Sequence, residues 1–113
     1  MNKTHIQGDI QLVPSSQKEF EDAIKNGEIL THHGEFILAL GETTGHAHRI
    51  KVAEPEQMIV VKDKQGNLYI QLLGEGTLTH EEHGTHTIKP SYRKLEHEQE
   101  YDYWLEASRQ VID

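Results

Sequence analysis

Apolar and polar residues alternate along most of this chain in short runs, each closed by glycine, proline or a polar turn. The stretch Gly8-Asp9-Ile10-Gln11-Leu12-Val13 alternates as far as Leu12 and meets Pro14, which predicts a first strand. Ser16-Gln17-Lys18-Glu19 matches a capping box, and Phe20, Ala23 and Ile24 recur at helical spacing before Gly27. That predicts a short N-terminal helix whose Phe20/Ile24 stripe serves packing. From residue 28 onward the period is that of strands, punctuated at His33-Gly34, Gly41 to Gly45, Glu54-Pro55, Gln65-Gly66-Asn67, Gly74 to Gly76, Gly84 and Pro90. Strands are predicted at about 28–32, 35–40, 46–53, 57–62, 68–73, 77–81, 85–89 and 92–97. Residues 98–113 fit either a strand or a short final helix.

This spacing predicts a mainly β protein, a small β-barrel or sandwich with one short N-terminal helix. A length of 113 residues suits one domain spanning 1–113 and one modest core. An apolar fraction of 35% makes that core economical, so association into a homo-oligomer is expected. The sequence contains no cysteine, so disulfides and thiolate ligands are excluded and any metal must bind through nitrogen or oxygen. Neither a signal-peptide pattern nor an apolar run of about 18 residues is found, and the expected location is cytoplasmic with no membrane partner. The net charge of −8 with histidine neutral argues against a non-specific polyanion binder.

Nine scattered histidines change the picture. In Gly45-His46-Ala47-His48-Arg49-Ile50-Lys51-Val52, residues two apart share a strand face, so His46 and His48 continue the core-facing row of Ile50 and Val52. Two imidazoles at that spacing can aim at one point, as a metal requires of a β scaffold. In the second cluster, Leu78-Thr79-His80-Glu81-Glu82-His83-Gly84-Thr85-His86, His80 is in phase with Leu78 and His86 with Ile88. The turn from Glu81 to Gly84 leaves open whether Glu82 or His83 also faces inward. His97 shares a phase with Leu95 and Tyr101. Four inward histidines without partners would cost roughly 1–3 kcal/mol each, and a shared cation satisfies several lone pairs at once. His5, His32 and His33 are read as structural, and the acidic run from Glu96 to Asp102 as a solvated edge.

The segment 41–83 resembles the cupins, double-stranded β-helix barrels that hold Fe, Mn, Zn, Ni or Cu through His-x-His, a carboxylate and a later histidine. The likeness rests on Gly41, His46, His48 and either His80 or His83. The family's carboxylate follows His-x-His by three or four residues, whereas Glu54 here follows after five, and the second motif is absent. The string Gly8-Asp9, Thr44-Gly45-His46-x-His48, His80-Glu81-Glu82-His83, Glu100-Tyr101 and Val111-x-Asp113, which covers nearly the whole chain, is also similar to small uncharacterised proteins of bacteria and phages. That likeness implies that His46, His48, His80, His83 and Tyr101 act as a set.

Three functions are then open. The leading one is a metal-dependent enzyme, a hydrolase or oxygenase acting on a small polar substrate. His46, His48 and His80 bind Zn, Fe, Mn or Ni, Glu82 or His83 completes the shell, and Glu81, His97 or Tyr101 serves as general acid or base. The second is a metal-free acid/base enzyme that cleaves RNA, with Arg49, Lys51, Lys89, Arg93 and Lys94 as a positive strip. The third is a non-catalytic metal, small-molecule or pH-sensing module.

Overall fold

In a computed structural model the fold is described for residues 4–7, 10–40, 47–80 and 84–97. Among these residues ten strands and one helix follow in the order β1 (His5–Gln7), β2 (Ile10–Pro14), α1 (Gln17–Asn26), β3 (Glu28–Leu30), β4 (Glu35–Leu40), β5 (Ala47–Val52), β6 (Met58–Lys62), β7 (Leu68–Leu72), β8 (Gly76–Thr79), β9 (His86–Ile88) and β10 (Ser91–His97). A single 3-10 turn, Pro55–Gln57, connects β5 to β6. Over the described residues the chain adopts the expected mainly β architecture with one short helix, and the strand or final helix expected at 98–113 lies outside them. The strands form a six-stranded sheet in the order β1-β2-β10-β7-β6-β3 and a four-stranded sheet in the order β4-β5-β8-β9, with every described pairing antiparallel. Among the described residues these remain two sheets and do not close into a barrel.

Strand alternation decides which side chains meet between the sheets. Ile10, Leu12, Val60, Ile70, Leu72 and Leu95 from the larger sheet pack against Leu38, Ile50, Leu78 and Ile88 from the smaller. On the outer face of the larger sheet, Phe20 and Ala23 of α1 pack on Val61, Ile59, Tyr69 and Tyr92. The chain is thus layered as helix, sheet and sheet. Ser16 caps α1 by the expected reciprocal bonds, its hydroxyl accepting from Glu19 N at 3.1 Å and its own N–H donating to Glu19 Oε1 at 3.1 Å. The expected Phe20/Ile24 stripe is shifted, because Ile24 stays 38% exposed while Ala23 is buried.

One boundary and one burial differ from the sequence reading, each for a local reason. The expected first strand over Gly8–Val13 is β2, with Pro14 as its last residue, and it is preceded by a further strand, β1, that pairs with it antiparallel. Proline is tolerated there because β1 reaches only to Leu12 in the register, so no donor is needed on that side. Arg93, expected in a surface strip, is buried at 2% exposure in the row of Leu95. Its Nη1 donates to Leu12 O and its Nε to Ser91 Oγ, while burial pulls the guanidinium below its ordinary pKa.

Candidate functional site

The register of β5 and β8 places Arg49 opposite Thr79 and Ile50 opposite Leu78. Continuing one step brings His48 opposite His80, and their rings lie 4.3 Å apart, tilted by 37°. His48, Ile50 and Leu78 are all buried, so the inward phase expected from the alternation holds. His86 faces Leu78 across the β8–β9 ladder and is half-buried in phase with Ile88, again as expected.

The facing sheet contributes Gln7, whose importance the sequence reading missed. Its Nε2 donates to Leu78 O at 3.3 Å and to Gly84 O at 2.6 Å. Both of those partners only accept, so the amide orientation is fixed and Oε1 is turned to His48 Nδ1, 3.0 Å away. A carbonyl oxygen cannot donate, so Nδ1 of His48 carries the proton. In the neutral ring Nε2 is then the lone-pair nitrogen, the form a metal ligand or a general base needs. His48 itself is only 1% exposed.

His5, read as structural from the sequence, stands two residues from Gln7 on the same face, with Ile6 between them turned outward and 55% exposed. Its Nδ1 lies 3.4 Å from Nδ1 of His86, and the two rings meet edge to face at 5.6 Å and 73°. One signal could have found both residues. His5-Ile6-Gln7 is a strand with its polarity inverted, the apolar residue in water and the polar pair inside, which packing alone does not favour.

The remaining expected residues divide into three groups. His46, Glu81, Glu82, His83 and Tyr101 lie outside the described residues. His97 closes β10 opposite Ile10, and its side chain lies outside the description as well. His32 is structural as expected: its Nδ1 accepts from Gly34 N at 2.9 Å, and its Nε2 donates to Met58 O at 2.6 Å. The proposed positive strip is broken, since Arg93 is buried, Lys51 pairs with Glu35 at 3.2 Å and Lys94 approaches Glu96 at 3.8 Å. Among the described residues no three His, Asp or Glu side chains are grouped to hold a metal ion. A groove of about 370 Å³ between α1 and the β6–β7 hairpin, lined by Glu19, Asp22, Asp63 and Lys64 among others, carries no histidine.

Fold and site together define a two-sheet antiparallel β domain with a polar, histidine-rich end inside its sandwich. The chain belongs to the family described as a domain of unknown function, DUF8820, which it matches over residues 6–96. The matched span holds Gln7, His48, His80 and His86 and begins one residue after His5. The family match is not to the cupins, so the metal-binding roles that likeness implied are not carried by kinship. No curated protein and no solved structure matches the chain. Among the described residues no helix is long and apolar enough to cross a membrane.

Proposed function

We propose that the protein binds a divalent transition metal ion at His48 and His80 and uses it on a small polar substrate. The observation that carries this reading is the Gln7–His48 hydrogen bond, which commits the proton of a buried ring to Nδ1 and turns its Nε2 into a donor of electrons. Histidines that ligate metals are commonly held in this way, by a second partner on the other ring nitrogen. The adjoining His80 ring, its centroid 4.3 Å from that of His48, supplies a second imidazole beside the first. His46, with Glu82 or His83, would complete the ligand set.

An ion with an open coordination position supplies an acidified water or polarises a substrate oxygen. The chain's own part is to fix the ring tautomer through Gln7 and to keep bulk solvent from His48. That depth favours an ion and a small molecule over a polymer, because a ring 1% exposed does not meet a polynucleotide strand. The broken positive strip weighs against the ribonuclease reading in the same direction.

Elemental analysis of protein purified without a nickel column tests the proposal. Near-stoichiometric Zn, Fe, Mn or Ni is expected at this site, and His48→Ala and His80→Ala should each lose about one equivalent of metal per chain relative to wild type while far-ultraviolet circular dichroism is retained. Folded wild-type protein without metal, which also takes up none when supplied with each ion, overturns it.

A further inference from the structure

The second imidazole pair in the sandwich has its own geometry. His5 comes from β1 of the larger sheet and His86 from β9 of the smaller, so neither ladder brings them together. Each presents Nδ1 to the other, at 3.4 Å. Hydrogen bonds from N–H groups centre near about 2.9–3.0 Å. Two nitrogens bound at roughly 2.0–2.1 Å to one tetrahedral ion stand about 3.3–3.4 Å apart. The observed separation is long for a hydrogen bond between the two rings and matches that of two ligands. The rings cross at 73°, which lets both nitrogens reach one point without their edges colliding. With both Nδ1 atoms unprotonated, a cation between them would bind both lone pairs in place of the single proton that a hydrogen bond shares.

The surrounding chain supports the pair. His5 is 9% exposed and takes the inward position across from Leu12, where an apolar residue would be the ordinary choice. Gln7 holds the next inward position on β1 and is tied to His48. The two imidazole pairs therefore lie at successive inward steps of one strand and use different rings.

We infer that His5 and His86 form a second nitrogen clamp for a transition metal ion of the zinc type, bound through both Nδ1 atoms. This goes beyond the His48/His80 reading and does not depend on it. Two protein nitrogens leave the remaining coordination positions to water or to a ligand atom, so the clamp is an open site.

Zinc sulfate titrated into nitrogen-15-labelled full-length protein, followed by long-range proton–nitrogen correlation of the imidazoles, tests the clamp. The Nδ1 signals of His5 and His86 are expected to shift together and saturate at the same zinc concentration. In His5→Ala the shift at His86 should require at least tenfold more zinc, whereas in His48→Ala it should persist. Nδ1 signals of His5 and His86 that stay unmoved at saturating zinc overturn the inference, as does an undiminished zinc response of His86 in His5→Ala. The wild-type titration needs no variant to fold. Shifts at His5 and His86 without any at His48 and His80 sustain the clamp while removing the zinc form of the proposed function, and the converse pattern does the reverse.

Discussion

Replacing Gln7 with leucine removes one side chain on which the tautomer of His48 depends, while nearly keeping its volume. The lost contacts are the bond to His48 Nδ1 at 3.0 Å and the two to Leu78 O and Gly84 O at 3.3 and 2.6 Å. The buried His48 N–H then lacks its partner, a penalty of about 1–3 kcal/mol, and the loss of the short bond to Gly84 O adds about 1 kcal/mol. Burying the leucine side chain returns part of this, which leaves a net destabilisation of about 2 kcal/mol. With a urea dependence of roughly 1–1.5 kcal/mol per molar for a chain of this size, the unfolding midpoint should fall by about 1.5 M. The same substitution should weaken metal binding about 10- to 100-fold, the usual consequence of removing the group that orients a ligand histidine. Gln7→Glu separates the two effects: it keeps an acceptor for His48 Nδ1 but loses both donors, so it should lose stability while His48 keeps its Nδ1–H form. Urea denaturation gives the midpoint and imidazole nitrogen shifts give the tautomer. If Gln7→Leu leaves both unchanged, Gln7 does not hold His48 and the reasoning fails.

Other expectations concern the scaffold. A methyl group at Gly27 would run into the Lys62 carbonyl oxygen and stand 2.6 Å from the Asp63 Cα, both backbone, so Gly27→Ala should lower stability by more than about 2 kcal/mol in urea denaturation. Gly66 has a φ of 89° with open space around it, so Gly66→Ala should cost only about 1 kcal/mol, from backbone conformation alone. Burial would raise the Asp63 carboxyl, but hydrogen bonds from Asn67 and Gln65, with the charge of Lys94, outweigh it and hold the group below its ordinary pKa of 3.8. Its stabilising effect is therefore complete above that ordinary value and is lost as pH falls through the lowered folded one. The stability difference between wild type and Asp63→Asn should thus be constant near neutral pH and shrink in acid. Arg93→Met should retain the fold, because an unbranched chain fills the guanidinium's place between the sheets, whereas Arg93→Ala should lose about 2–4 kcal/mol more through the cavity; thermal unfolding distinguishes them.

Local signals made most of the fold legible. Ser16 and Glu19 announced the helix because both partners of the capping box are adjacent in sequence, and the period-two rows through Ile50, Leu78 and Ile88 point inward as alternation requires. The His48–His80 pairing was half legible: phase put both rings on one face, but only the β5–β8 register makes them neighbours. His5 and Gln7 were not found, since their partners are His86 and His48, distant in sequence and reached only when the second sheet covers the first. Arg93 was misjudged for a related reason. Charge predicts exposure unless a hydrogen-bonding cage is known, and Leu12 and Ser91 belong to that cage, one of them on another strand.

The inverted strand β1 carries a thermodynamic consequence. Among the described residues it pairs with β2 along one side only, and its inward positions, His5 and Gln7, reach across to the opposite sheet through polar contacts. Whatever occupies the imidazole rings therefore also fastens the amino-terminal ribbon, and by linkage the ribbon's attachment strengthens that occupancy by the same factor. Protection of the Ile6 and Gln7 amides against deuterium exchange then serves as a gauge of guest binding, readable without knowing what reaction, if any, takes place there.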